Sequence, residues 1–114
     1  NSWTPEIAEL YGKPVYDSGN HKAPLAMMRM VPDGPNHPSA PAMLKIEKYV
    51  ESLKIPAEIV WGMNDPILGN GLSAMQTNFP NAPVTKTTAG HFLQEEVPEE
   101  ISKALMRVHS KVVE

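Results

Sequence analysis

Two short runs, Pro56-Ala-Glu-Ile-Val-Trp-Gly62 and Pro83-Val-Thr-Lys-Thr-Thr88, constrain this chain more than any other feature. Both open on proline and carry the apolar and β-branched residues that fit a pleated surface. Both give way to a turn and then to helical periodicity, so each reads as a short strand. Between them, residues 71–79 fit a short helix with Leu72 and Met75 inward and Phe79 at its end. A crossover helix of this kind makes neighbouring strands parallel. Ahead of the first strand, Ser39-Ala-Pro41 opens a helix to about Leu53. Its Ala42, Met43, Ile46, Tyr49, Val50 and Leu53 follow the 3.6-residue period. Behind the second strand a last helix starts near Val97 and Pro98. Glu95, Glu96, Glu99 and Glu100 crowd its start and Lys103, Arg107 and Lys111 follow, as the helix dipole favours. Val97, Ile101, Leu105, Val108 and Val112 should form its buried face. Residues 39–114 are therefore α/β. Two parallel strands make a poor free-standing sheet, since such sheets need more strands and cover on both faces. The expected architecture is the tail of a larger α/β sheet.

Residues 1–38 read differently. Thr4 is a plausible N-cap, Pro5 the first helical residue and Gly12 the stop of a short helix. Residues 23–30 suggest a second short helix. The cluster from Pro32 to Pro38 cannot be regular structure and reads as a rigid loop joining two parts. The start, Asn1-Ser2-Trp3-Thr4, has neither an initiator Met nor the pattern of a signal peptide. It reads as the interior of a longer protein or a processed end, with the cytoplasm as the expected location. The formal charge is −3 and no basic stripe interleaves with aromatics, so nucleic acid is not an expected partner. No apolar run approaches the roughly 18 residues of a membrane span. Cysteine is absent, which excludes disulfide and thiolate chemistry. His21, His37 and His109 show no metal-ligand spacing and read as surface residues, so no metal is expected.

In parallel sheets, functional groups collect beyond the carboxyl ends of the strands. Asp65 follows the first strand by a few residues, in Trp61-Gly-Met-Asn-Asp65-Pro-Ile-Leu-Gly69. His91 follows the second, in Ala89-Gly-His91-Phe-Leu-Gln-Glu-Glu-Val-Pro98. If the strands are neighbours, both side chains share one rim. An Asp within reach of a His fixes its tautomer and supports it as a general base. Taken singly, Asp65 before Pro66 is also an ordinary turn former and His91 an ordinary loop residue. The Glu95–Glu96 pair is placed to support His91 from behind, though its position at a helix start already explains it. A nucleophile is missing. No Gly-x-Ser-x-Gly elbow occurs, and Ser73 in Gly71-Leu-Ser73-Ala-Met lacks the second glycine and the preceding strand.

The two segments Gly62-Met-Asn-Asp65-Pro-Ile-Leu-Gly69 and Gly90-His91-Phe92-Leu93-Gln94-Glu95 resemble the haloalkane dehalogenases and their relatives among the α/β-hydrolases, the epoxide hydrolases and β-lactone decarboxylases. The resemblance implies a C-terminal portion of an α/β-hydrolase fold: the last two parallel strands with flanking helices over residues 39–114, preceded by the end of a helical cap over residues 1–38. It implies that Asp65 is the triad acid and His91 the triad base. In that branch an upstream Asp attacks carbon to form an ester, and the histidine activates the water that hydrolyses it. Positions for that nucleophile, the oxyanion motif and the halide-holding tryptophans have no match here. The chain alone is then expected to be inactive. An apolar small-molecule substrate, no cofactor, and a complementary N-terminal part are implied. Met27, Met28 and Val31 at the end of the cap, with Ile67, Leu68 and Phe92 beside the pair, are candidates to line the substrate pocket, though ordinary packing explains them too. The alternative is a non-catalytic truncated relative that self-associates through open strand edges as a dimer or binding module.

Overall fold

A computed structural model describes residues 3–113. The elements run α1 (Pro5–Asp17), α2 (Lys22–Met28), α3 (Ala40–Ser52), β1 (Ile59–Gly62), a 3₁₀ turn (Gly69–Gly71), α4 (Leu72–Asn78), β2 (Val84–Thr87), α5 (Leu93–Glu96) and α6 (Pro98–Val112). They form two compact units, residues 1–49 and 50–114. Helices with a two-stranded parallel sheet make an α/β arrangement. Among the described residues no helix is long and apolar enough to cross a membrane.

In the first unit, Thr4 caps α1, its hydroxyl accepting the Ile7 N–H at 3.3 Å. The helix does not stop at Gly12 as its sequence suggests, but runs on through Pro14 to Asp17. A helix ends at a glycine where the backbone turns left-handed, and here that residue is Gly19, at φ 65°. The Ser18 and Gly19 N–H groups close back onto Pro14 and Tyr16. The proline-rich loop is pinned by His37. Its Nε2 donates to the Arg29 carbonyl at 3.1 Å and its Nδ1 accepts the Ser39 N–H at 3.1 Å. His37 is thus a structural pin rather than a solvated surface residue. The periodic stripe of α3 exists, but Met43, Ile46 and Tyr49 on it are exposed.

In the second unit β1 and β2 pair in parallel, Ile59 opposite Val84 and Gly62 opposite Thr87. Alternation along β1 sends Ile59 and Trp61 to one face and Val60 to the other. Trp61 lies against Gly71 on its side. Val60 shares an open cavity of about 280 Å³ with Ile101, Ala104 and Val108 of α6. Ile59, Leu72, Ala89 and Ala104 are the buried apolar side chains of this unit. The inward line of α6 is half-buried Val97, Ile101 and Val108 with buried Ala104. Leu105 and Val112, expected on that face, are 64% and 65% exposed. Two strands are too narrow to cover a wider stripe, so only the positions directly over β1 are enclosed.

The far end of α6 is fastened by a charged cluster. Glu58, just before β1, has a side chain only 2% exposed and pairs with Arg107 and Lys111, each at 3.0 Å. The Arg107 and Lys111 hydrogen bonds, outweighing the cost of desolvation, hold the Glu58 carboxyl below its ordinary value.

Candidate active site

The matched register of the strands decides where the site forms. Both strands end on the same rung, so the loops after Gly62 and Thr87 leave side by side. Beyond the strands the ladder continues: Met63 N–H donates to Thr87 O at 2.9 Å and Asn64 N–H to Ala89 O at 3.1 Å. Side chains add to it. Asn64 Nδ2 donates to Thr88 O at 2.8 Å, and Thr87 Oγ1 donates to Trp61 O at 3.0 Å. The loops approach so closely that a Cβ on Gly62 would lie 2.6 Å from Gly90 O and 2.7 Å from Ala89 O. Glycine is required at 62 by this contact, not by its dihedral angles.

Asp65 sits at the turn into the crossover. Its Oδ1 accepts the N–H groups of Ile67 at 2.7 Å and Leu68 at 3.0 Å, a local carboxylate turn. Its backbone carbonyl accepts Gly69 N–H at 3.0 Å, and Trp61 Nε1 donates to Gly69 O at 3.0 Å from below. The carboxylate is thereby fixed with Oδ2 aimed across to the neighbouring loop. There His91 Nδ1 lies 2.9 Å away. The Asp65 side chain is 6% exposed and that of His91 36%. Desolvation pushes the Asp65 carboxyl up, but the Leu68 N–H, the His91 ring and the Ile67 N–H outweigh it and leave the group below its ordinary value. An ionised carboxylate at Nδ1 makes that nitrogen the donor, so the lone pair of the neutral ring resides on Nε2.

The loop carrying His91 has a second restraint. Glu96, at the end of the single-turn α5, reaches back six residues so that its Oε1 accepts the Gly90 N–H at 3.1 Å. Phe92 packs edge-on against the imidazole, ring centroids 5.4 Å apart at 87°.

The structure therefore brings Asp65 and His91 together and sets Phe92 against the histidine. Ile67 and Leu68 flank Asp65 but are 70% and 55% exposed, so neither is packed into a core. Met27, Met28 and Val31 belong to the first unit, where they are 70%, 72% and 64% exposed. Asn64 and Thr87 were not among the expected parts of the site, whereas the Glu95–Glu96 pair, weighed as support for His91, supplies Glu96 to the Gly90 N–H. Asn64, adjoining the acid, was the available signal. Helix-dipole complementarity already accounted for Glu96, which hid its contact with Gly90. Among the described residues no three His, Asp or Glu side chains gather as metal ligands.

A hydrogen-bonded His–Asp couple recurs in catalytic triads on several unrelated folds. The chain is 28% identical over 99 residues to a haloalkane dehalogenase of Mycolicibacterium paratuberculosis, a match covering 84% of this chain and 33% of that protein. Haloalkane dehalogenase 1 of Mycobacterium bovis and that of Mycobacterium tuberculosis are each 27% identical over 99 residues, with the same coverage. The likeness is weak and partial, and consistent with the C-terminal part of an α/β-hydrolase. The chain spans about a third of the length of the curated relatives it matches. No family model matches. No solved structure matches.

Proposed function

We propose that this chain is the C-terminal portion of a haloalkane dehalogenase-like α/β-hydrolase and supplies two members of its triad. Residues 39–114 would be the end of the hydrolase core and residues 1–38 the end of its helical cap. Asp65 is the acid that orients and supports the imidazole, and His91 is the base. The observation that carries the reading is the 2.9 Å contact of His91 Nδ1 with Asp65 Oδ2 at the carboxyl ends of parallel strands.

The chemistry follows from that contact. A carboxylate nucleophile on the complementary part of the enzyme attacks an alkyl carbon, the carbon–halogen bond breaks with departure of halide, and the alkyl group is left as an ester on the carboxylate. His91 Nε2 takes a proton from water, and the resulting hydroxide adds to the ester carbonyl. Collapse of the tetrahedral intermediate frees the carboxylate, and the proton on His91 goes to the departing alcohol. Asp65 stays ionised throughout and stabilises the imidazolium. Phe92, Ile67 and Leu68 would present apolar surface to the substrate beside the couple. The similarity to dehalogenases supports this reading and gives no support to a non-catalytic dimeric module.

The test uses the whole hydrolase, this chain together with the part carrying the nucleophile. His91→Gln blocks only the second half-reaction. One equivalent of leaving group should be released, and the alkyl adduct should persist on the nucleophile in intact mass spectra. Steady turnover by His91→Gln, or failure to find any complementary part that restores hydrolysis, overturns the proposal.

A further inference from the structure

Gly90, just before His91, is restrained at both of its backbone polar groups, which belong to the two peptides flanking its Cα. Gly90 O lies against Gly62, where even one added carbon would come within 2.6 Å. Gly90 N–H is bound by Glu96 Oε1 at 3.1 Å. Glu96 is the last residue of α5, a single turn that begins at Leu93. Its carboxylate closes a ring of chain from Gly90 to Glu96, with His91 and Phe92 inside it. Within that ring Glu95 N–H bonds to Phe92 O at 3.0 Å, and just beyond it Val97 N–H bonds to Leu93 O at 2.8 Å. The imidazole thus has restraints from two directions. Asp65 holds its Nδ1 from the neighbouring loop, and Glu96 fixes the backbone from which the ring extends. A hydrogen bond accepted by a carboxylate is stronger than one accepted by a neutral group, which suits a short loop that must hold one rotamer.

We infer that Glu96 is a positioning residue for His91, acting through the Gly90 peptide, so that the Nδ1 contact to Asp65 survives in a loop open to solvent. This rests on the reading of Asp65 and His91 as a catalytic couple. It adds a residue that acts on the imidazole through the backbone N–H of Gly90. A Cβ at 90 would lie 3.1 Å from Glu96 Oε1, so a side chain there would make the carboxylate give by a few tenths of an ångström.

Imidazole ¹⁵N–¹H spectra of the 114-residue chain test this directly, since they separate the Nδ1–H and Nε2–H tautomers of each histidine. The His91 signal is assigned by its loss in His91→Gln. In the wild type the Nδ1–H form should dominate. Glu96→Ala should lower the ratio of Nδ1–H to Nε2–H at least twofold, while Glu96→Gln, whose amide oxygen can still accept the Gly90 N–H, should keep most of it. A Glu96→Ala spectrum unchanged from wild type, or a Glu96→Gln chain as perturbed as Glu96→Ala, overturns the assignment. Asp65→Asn separates the two levels. If it leaves the His91 tautomer ratio untouched, the couple itself is refuted. If it shifts the ratio while Glu96→Ala does not, only the role of Glu96 falls. In the assembled hydrolase Glu96→Ala should reduce kcat with KM little changed.

Discussion

Gly62→Ala is the most revealing single substitution, because local and tertiary physics give it opposite signs. Glycine within a strand costs about 0.5–1 kcal/mol relative to alanine, and replacing it also trims the entropy of the unfolded chain. Gly62 does not need a positive φ, so on those grounds alanine should stabilise. The tertiary contact reverses this. The new Cβ would meet Gly90 O at 2.6 Å and Ala89 O at 2.7 Å, both on backbone that no rotamer change can remove. Ordinary contact begins at 3.4 Å, so the loops must separate by up to 0.8 Å. A shift of that size stretches the 3.1 Å bond from Asn64 N–H to Ala89 O beyond useful length. It also threatens the 2.8 Å bond from Asn64 Nδ2 to Thr88 O. Two lost hydrogen bonds at about 1 kcal/mol each, with overpacking strain of about 1 kcal/mol or more, outweigh the local gain. The expected net loss is about 2 kcal/mol, or roughly a 30-fold fall in the folded-to-unfolded ratio. Urea denaturation followed by circular dichroism measures it, and imidazole spectra report whether His91 still meets Asp65. An alanine variant as stable as wild type, with the His91 Nδ1–H signal intact, would refute the close-approach reasoning.

Leu72→Ala should cost about 2–3 kcal/mol, the low end for a buried leucine in a small core that can relax, whereas Leu105→Ala should change stability by less than about 0.5 kcal/mol because that side chain is already exposed; equal losses in urea titrations would mean that α6 is turned differently. Acid sensitivity follows from Asp65 and Glu58, whose carboxyls lie below their ordinary 3.8 and 4.5 in the folded chain. A depressed folded pKa contributes stability above the unfolded value and loses it as pH falls through the folded one. Thermal midpoints should therefore hold above about pH 5 and fall below about pH 4, with a shallower fall in Asp65→Asn and in Glu58→Gln; an acid slope identical to wild type in both variants would count against the pairs.

The strands and the Asp65–His91 pairing were legible because each signal is local. Proline marks the approach to each strand, β-branched residues fill the runs, and Asp65 and His91 follow the strand ends at short range. What failed to show in the sequence depends on distant neighbours. Gly12 looks like a helix stop only until the left-handed turn is found at Gly19. Leu105 and Val112 satisfy the helical period as well as Ile101 does, but a period does not say how wide a sheet lies beneath it. Glu58 meets Arg107 and Lys111 across 49 and 53 residues, a separation at which charge spacing carries no signal. Asn64 and Thr87 bind backbone atoms, which every residue possesses, so no residue pattern betrays their partners; for Glu96 the pattern offers support of His91 but not the Gly90 N–H through which it comes.

The level register of the two strands also draws a map of permitted change along the chain. Asp65 and His91 meet because Gly62 and Thr87 share a rung, and each of the two is counted from that rung. One residue inserted between 62 and 65, or between 87 and 91, would shift only one partner and break the couple. The turn around residues 79–83 is different, since it lies at the amino-terminal end of β2, away from that rim. Length variation among proteins built this way should therefore accumulate near residues 79–83, while the spacings 62–65 and 87–91 stay constant.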